Sequence, residues 1–154
     1  MKTLIVYYSR TNTTRKIAEE IQSELNCDIE EINDKNDYSG KLGFLKGGFK
    51  ATTGRGSELN EISKNPADYD LVIVGTPVWS SNMATPIFSY LEKYHEDIKD
   101  IACFCTCMGG GYDKALDNMA KVSRKQPIST MYLTSKDIEN PSEKINNFIN
   151  KIIQ

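Results

Sequence analysis

Two rhythms of apolar residues divide the chain. Runs at 3–8 (TLIVYY), 69–75 (YDLVIVG) and 101–107 (IACFCTC) are nearly unbroken in apolar character, as expected of strands covered on both faces. Two further runs, 27–32 (CDIEEI) and 127–134, mix apolar with polar residues and predict less buried strands. Between them the period lengthens to that of a helix. Ile17, Ala18, Ile21 and Leu25 share one face of a helix over 14–26, and Ile87, Leu91, Tyr94 and Ile98 fall in register for one over about 85–97. Tyr112, Ala115, Leu116, Met119 and Ala120 do the same over 111–124. A closing helix buries Ile145, Phe148, Ile149 and Ile152. Asn140-Pro141-Ser142-Glu143 predicts its start, with Asn140 as N-cap, Pro141 at the first helical position and Glu143 closing a capping box.

Strand and helix alternate with short connections, which predicts an α/β fold with a parallel sheet covered by helices on both sides. The three apolar strands belong in the middle and the two mixed ones at the edges. With right-handed crossovers, that places five strands in the order 2-1-3-4-5, a doubly wound, three-layer αβα sheet. The crevice of such a sheet lies outside the carboxyl ends of strands 1 and 3, where the winding reverses.

Length and charge narrow the picture further. The 154 residues fit one domain spanning 1–154, with 39% apolar and 26% charged residues. A net charge of −2 gives no reason to expect nucleic acid or a membrane surface as partner. No apolar run approaches the roughly 18–20 residues of a membrane span, and the N-terminus lacks the pattern of a signal peptide. The expected location is the cytoplasm, where Cys27, Cys103, Cys105 and Cys107 stay free thiols. Their spacing does not match a zinc site. The single histidine, His95, sits among Glu92, Glu96 and Asp97 and reads as solvated. Residues 33–68 do not fit a bare strand–helix–strand spacing. They hold six glycines and a stretch, 41–55, in which Lys41, Lys46, Lys50 and Arg55 stand without an acid. That stretch is compatible with a solvated helix face carrying Leu42, Leu45 and Phe49 inward, and equally with a docking patch for an acidic or phosphorylated partner.

Three loops converge on the predicted crevice. The first is Ser9-Arg10-Thr11-Asn12-Thr13-Thr14, with four hydroxyls and an amide where a buried strand meets a helix. A helix N-terminus presents unpaired N–H groups and the positive end of its dipole, and hydroxyls around it add donors for an anion such as a phosphate. An N-cap at Thr13 or Thr14 explains one hydroxyl, not four. The second loop, 76–84, begins Thr76-Pro77-Val78-Trp79-Ser80 and carries Asn82 before the next helix. Its tryptophan, the only one in the chain, is placed either to stack on a planar ligand or to close the edge of the core. The third, Cys107-Met108-Gly109-Gly110-Gly111-Tyr112, lets a backbone approach a ligand closely. Tyr112 is either a second stacking ring or part of its helix's apolar face.

An anion site, an aromatic ring and a glycine loop on one crevice describe a pocket for a phosphorylated planar cofactor. With these residues the sequence resembles the flavodoxin family of FMN-binding proteins. There the first loop reads Ser/Thr-x-Thr-Gly-x-Thr and cradles the FMN phosphate. Ser9, Thr11 and Thr14 match its hydroxyls, and Asn12 stands where glycine is usual. YDLVIVGTPVW at 69–79 and CFCTCMGGGYDKAL at 103–116 resemble the strands and loops that flank the flavin, and GFLKGGFKATTG at 43–54 resembles another family segment. The length resembles the short-chain type. The resemblance implies FMN as cofactor, held by the three loops just named, and electron transfer between redox partner proteins. The alternative it leaves open is an FMN-dependent NAD(P)H or quinone reductase; a third is a binding module without its cofactor. A receiver domain, a P-loop ATPase, a dinucleotide-binding fold and a cysteine phosphatase each lack their required residues here.

Overall fold

The computed structural model describes residues 1–34 and 59–154. The glycine-rich, basic stretch and the short helix expected within it lie outside the described residues. The chain opens with β1 (Thr3–Tyr7), α1 (Thr13–Leu25) and β2 (Asp28–Glu31). A short 3-10 turn at Pro66–Asp68 leads into β3 (Leu71–Trp79), then β4 (Asn82–Met83) and α2 (Thr85–Tyr94). After them come β5 (Asp100–Thr106), α3 (Tyr112–Ser123), β6 (Thr130–Leu133), α4 (Ser135–Glu139) and α5 (Ser142–Ile153). The parallel strands run β2-β1-β3-β5-β6, the expected order, with β4 added antiparallel to β3.

The alternation of side chains along the strands builds two cores. Leu4, Val6, Val72, Val74 and Cys103 face Ile87, Tyr90, Leu91 and Met119 of α2 and α3. Ile5, Ile73, Ala102 and Phe104 face Ile17, Ala18 and Ile21 of α1 and Ile145, Phe148 and Ile149 of α5. Register locks these faces together, with Ile5 between Ile29 and Ile73 and Gly75 beside Phe104. Gly75 has a steric reason to be glycine. A Cβ there would stand 2.1 Å from Cζ of Phe104, whose ring covers the backbone and meets Phe148 edge to face at 6.3 Å.

Four local departures from the sequence reading have physical causes. First, β3 does not stop at Gly75: Thr76 and Pro77 still pair with Cys105 and Thr106. A proline is tolerated in this central strand because of its facing. Gly75 points its carbonyl at β1, accepting from Tyr8 N–H at 3.2 Å, so Pro77, two residues on, faces the side where β1 has already ended. Second, Ser80 and Ser81, at φ 49° and 59°, turn the chain back into β4, a tight hairpin that no glycine announced. Third, Asn12, not Thr13 or Thr14, occupies the N-cap position of α1, at φ 69° and without a capping bond from its side chain. Fourth, the expected capping box at 140–143 is absent. Pro141 takes the N-cap position of α5 with no side-chain bond, and the capping box sits upstream on the unexpected helix α4, between Thr134 and Asp137. Asn140 is spent as the C-cap of that helix, its N–H donating to the Asp137 carbonyl at 3.1 Å.

Candidate functional site

The strands end at different heights, and their carboxyl ends enclose a cavity of about 510 Å³. Its walls come from all three loops picked out in the sequence: Arg10, Thr11, Thr13 and Thr14; Pro77, Val78, Trp79 and Ser80; and Cys107, Met108, Gly109 and Gly110. Ser81, Thr106, Ser135 and Ile138 complete it.

The polar end is built at the start of α1. Asn12 makes no side-chain capping bond and the first turn holds no acid, so the helix presents its positive end there, with the Arg15 N–H alone given to Ser9. Thr11 and Thr13 bring their hydroxyl oxygens to 3.5 Å of each other. Thr14 is buried and shares a 2.9 Å hydrogen bond with Thr106 at the end of β5. Ser9 does not line the cavity; its Oγ accepts from Arg15 N–H at 3.2 Å and so closes the turn beneath the hydroxyls. Asn12 also lies outside the lining, with its Oδ1 accepting from the Arg15 guanidinium at 3.0 Å.

The flatter end lies between the β3–β4 hairpin and the glycine loop. These two loops touch, for a Cβ on Gly111, at φ 83°, would come within 3.0 Å of Ser81 Cα and 3.1 Å of Val78 Cγ1. Gly109 and Gly110 differ, because a Cβ on either would meet nothing within 4 Å. Protein packing does not demand glycine there, and both border the cavity. Met108 is 90% exposed at this lip, and Ser135 of α4 holds its carbonyl with a 3.2 Å hydrogen bond.

Several residues singled out in the sequence prove to be supports for the walls. Thr76 is fully buried, donating to the Pro77 carbonyl at 2.8 Å and accepting from Ala84 N–H at 2.9 Å, which pins the base of the hairpin to the start of α2. Asn82 accepts from Met83 N–H and from the Asn118 amide. The Trp79 ring is not a free platform on the rim: it is 2% exposed and meets Tyr8 edge to face at 5.5 Å. Tyr112 turns away and stacks on Tyr132, centroids 3.8 Å apart and planes 10° apart, with the Lys144 ammonium 3.5 Å from the Tyr132 centroid. Trp79 nevertheless borders the cavity. Neither Gly111 nor Tyr112 borders the cavity.

Thr106 was hidden inside the apolar run IACFCTC. Its signal was parity: it shares a face with Ala102 and Phe104, toward α1, at the end of its strand. Ser135 and Ile138 belong to α4, whose Thr134-x-x-Asp137 pattern was the available cue.

The chemistry of the lining is one of holding. No histidine borders the cavity, and its one thiol, Cys107, has its pKa raised by burial and by nearby Asp137, so it is poorly disposed to act as a nucleophile. Cys103 and Cys105 are buried more deeply and pushed up further by desolvation. What remains is a hydroxyl-lined helix start facing the β3–β4 hairpin and the glycine loop across one cavity.

Comparison with known proteins bears on what fills such a cavity. A family model described as flavodoxin matches residues 2–152. A flavoprotein from Lactobacillus acidophilus NCFM, solved in complex with FMN, is 24% identical with a TM-score of 0.75, over 92% of this chain and 98% of that one. A flavodoxin from the domain Archaea is 20% identical with a TM-score of 0.57, over the full length of both chains. Oxidised flavodoxin 1 from Bacillus cereus is 17% identical with a TM-score of 0.58, over 97% and 98%. No curated protein matches the chain.

Proposed function

Because the chain belongs to the flavodoxin family, we propose that it binds FMN in the 510 Å³ cavity and passes electrons between redox partners. The observation that carries this reading is the hydroxyl-lined start of α1: Thr11, Thr13 and Thr14 border the cavity at a helix start whose first turn holds no acid and whose N-cap side chain makes no capping bond. That donor set suits a phosphate dianion. The cavity lies within the roughly 300–1,000 Å³ of small-molecule sites. When bound, FMN supplies the electron-accepting ring and its chemistry. The chain holds it: α1 and its threonines take the phosphate, while the Pro77–Ser81 hairpin and the Cys107–Gly110 loop bracket the ring. Apolar cover from Val78 and Ile138 limits water there, which disfavours extra negative charge on the ring.

A second reading, an FMN-dependent NAD(P)H or quinone reductase on the same site, draws support from the mild net charge of −2. Strong acidity is usual in carriers that dock by charge. Steady NADPH oxidation with a quinone present and no helper reductase would select it.

Titration of the purified protein with FMN tests the reading common to both. The expected result is a protein-bound yellow chromophore with quenched flavin fluorescence. Thr11→Ala should weaken FMN roughly 10- to 100-fold, the loss of one charge-assisted hydrogen bond, and leave riboflavin nearly unchanged. Equal losses for both ligands would remove the phosphate from this loop.

A further inference from the structure

We propose that the side chain of Arg15 is a positioning group for the anion cradle, acting through Asn12 rather than touching the ligand. This rests on the FMN reading above. Asn12 sits at φ 69° and ψ −1°, a left-handed conformation that asparagine adopts more readily than most residues but that glycine adopts freely. That conformation sets the entry of the chain into α1, whose Thr13 and Thr14 border the cavity. The Asn12 side chain is not used to cap the helix. Its Oδ1 instead accepts a 3.0 Å hydrogen bond from the Arg15 guanidinium.

Arg15 is in turn fixed from several directions. Its guanidinium donates to both carboxylate oxygens of Glu31 at 2.6 Å, at the end of β2, and its Nε donates to the Tyr7 hydroxyl at 3.3 Å, at the end of β1. Its backbone N–H donates to Ser9 Oγ at 3.2 Å. One residue therefore ties both ends of the Ser9–Asn12 turn, by its amide at one and its guanidinium at the other, and anchors them to two strand ends. Arg15 itself does not line the cavity. The side chains of Arg15 and Glu31 remain 38% and 23% exposed, so solvent weakens the pair as a source of overall stability. Its specific effect is on the loop.

The test compares wild type, Arg15→Ala, Asn12→Gly and the double variant. Arg15→Ala should raise the Kd for FMN about tenfold, and that for riboflavin by less than about twofold, because the loss falls on the phosphate end. In the double variant, Asn12→Gly should recover most of the affinity lost in Arg15→Ala, since glycine needs no clamp to hold the left-handed turn. A second readout needs no ligand: the backbone amide of Asn12 should show a lower NMR order parameter in Arg15→Ala than in wild type. A lowered melting temperature with an unchanged FMN-to-riboflavin ratio would overturn the proposal, as would a failure of Asn12→Gly to rescue. Should wild type bind no FMN, the cofactor reading falls, and an Asn12 amide equally rigid in both proteins would sink the clamp as well.

Discussion

At the scale of single residues, Cys107, just past the end of β5, is the thiol that the cavity reaches, while Cys103 and Cys105 are fully buried within that strand. Burial, then Asp137, raises its pKa above the usual 9.0. Alkylation of Cys107 should therefore be slow at neutral pH and go on rising with pH past 9.0, where an unshifted thiol has begun to level off. Saturating FMN should slow it further, without protecting Cys27, which lies outside the cavity lining and whose thiol is pushed up to about 11 by burial and Asp28. Peptide mapping after timed iodoacetamide treatment checks this, and equal Cys107 rates with and without FMN would contradict it. The alternation of the three cysteines was readable from spacing alone. Which rings would stack was not. Trp79 and Tyr112 have the composition of ligand platforms, but each is claimed by a neighbour, Tyr8 or Tyr132, that comes from a different element. Such pairings arise only once the sheet is assembled.

Among elements, α4 shows how a five-residue helix is held and what it holds. Thr134 and Asp137 cap each other: the Asp137 carboxylate accepts from Thr134 N–H at 2.8 Å and from Lys144 Nζ at 2.9 Å. The first of these bonds, then the ion pair, lowers the Asp137 pKa below its usual 3.8. A depressed pKa stabilises the folded state above the unfolded value, and that contribution disappears as pH falls through the folded one. The melting temperature of Asp137→Asn should accordingly lie below that of wild type at pH 7, with the gap closing as pH drops below the usual 3.8. A gap that persisted in acid would assign the effect to shape rather than charge. Because Ser135 on this helix holds the Met108 carbonyl, the same variant should also loosen the glycine loop. Long periodic helices were legible because burial imposes their pattern. This helix has no buried residue and hence no apolar period; its Thr134-x-x-Asp137 cap was the one cue. The Ser80–Ser81 hairpin was silent, since its left-handed residues lack the glycine or asparagine that marks such turns.

For the molecule as a whole, the two cores on either side of the sheet were already present in the apolar runs, as was the strand order, because strands covered on both faces are mostly apolar. The position of the cavity followed from that order. The junction most sensitive to overpacking is Gly75, where the backbone of β3 lies against Phe104 of β5, itself packed on Phe148 of α5. Gly75→Ala should lower global stability by about 1–3 kcal/mol or more, by forcing the ring off its site. Adding Phe104→Leu, which vacates the space, should recover part of the loss. Chemical denaturation of the single and double variants measures this, and additive losses would place the strain elsewhere.

Pro77 carries a consequence for how the opening in the sheet survives. Its nitrogen faces the side where β1 has run out, along a ledge of main chain that a longer first strand would otherwise zip up. With no hydrogen on that nitrogen, the ledge has nothing to offer an advancing strand at that step. The ring thus guards a gap against the protein's own backbone, and keeps vacant a berth that only a guest of different shape can fill.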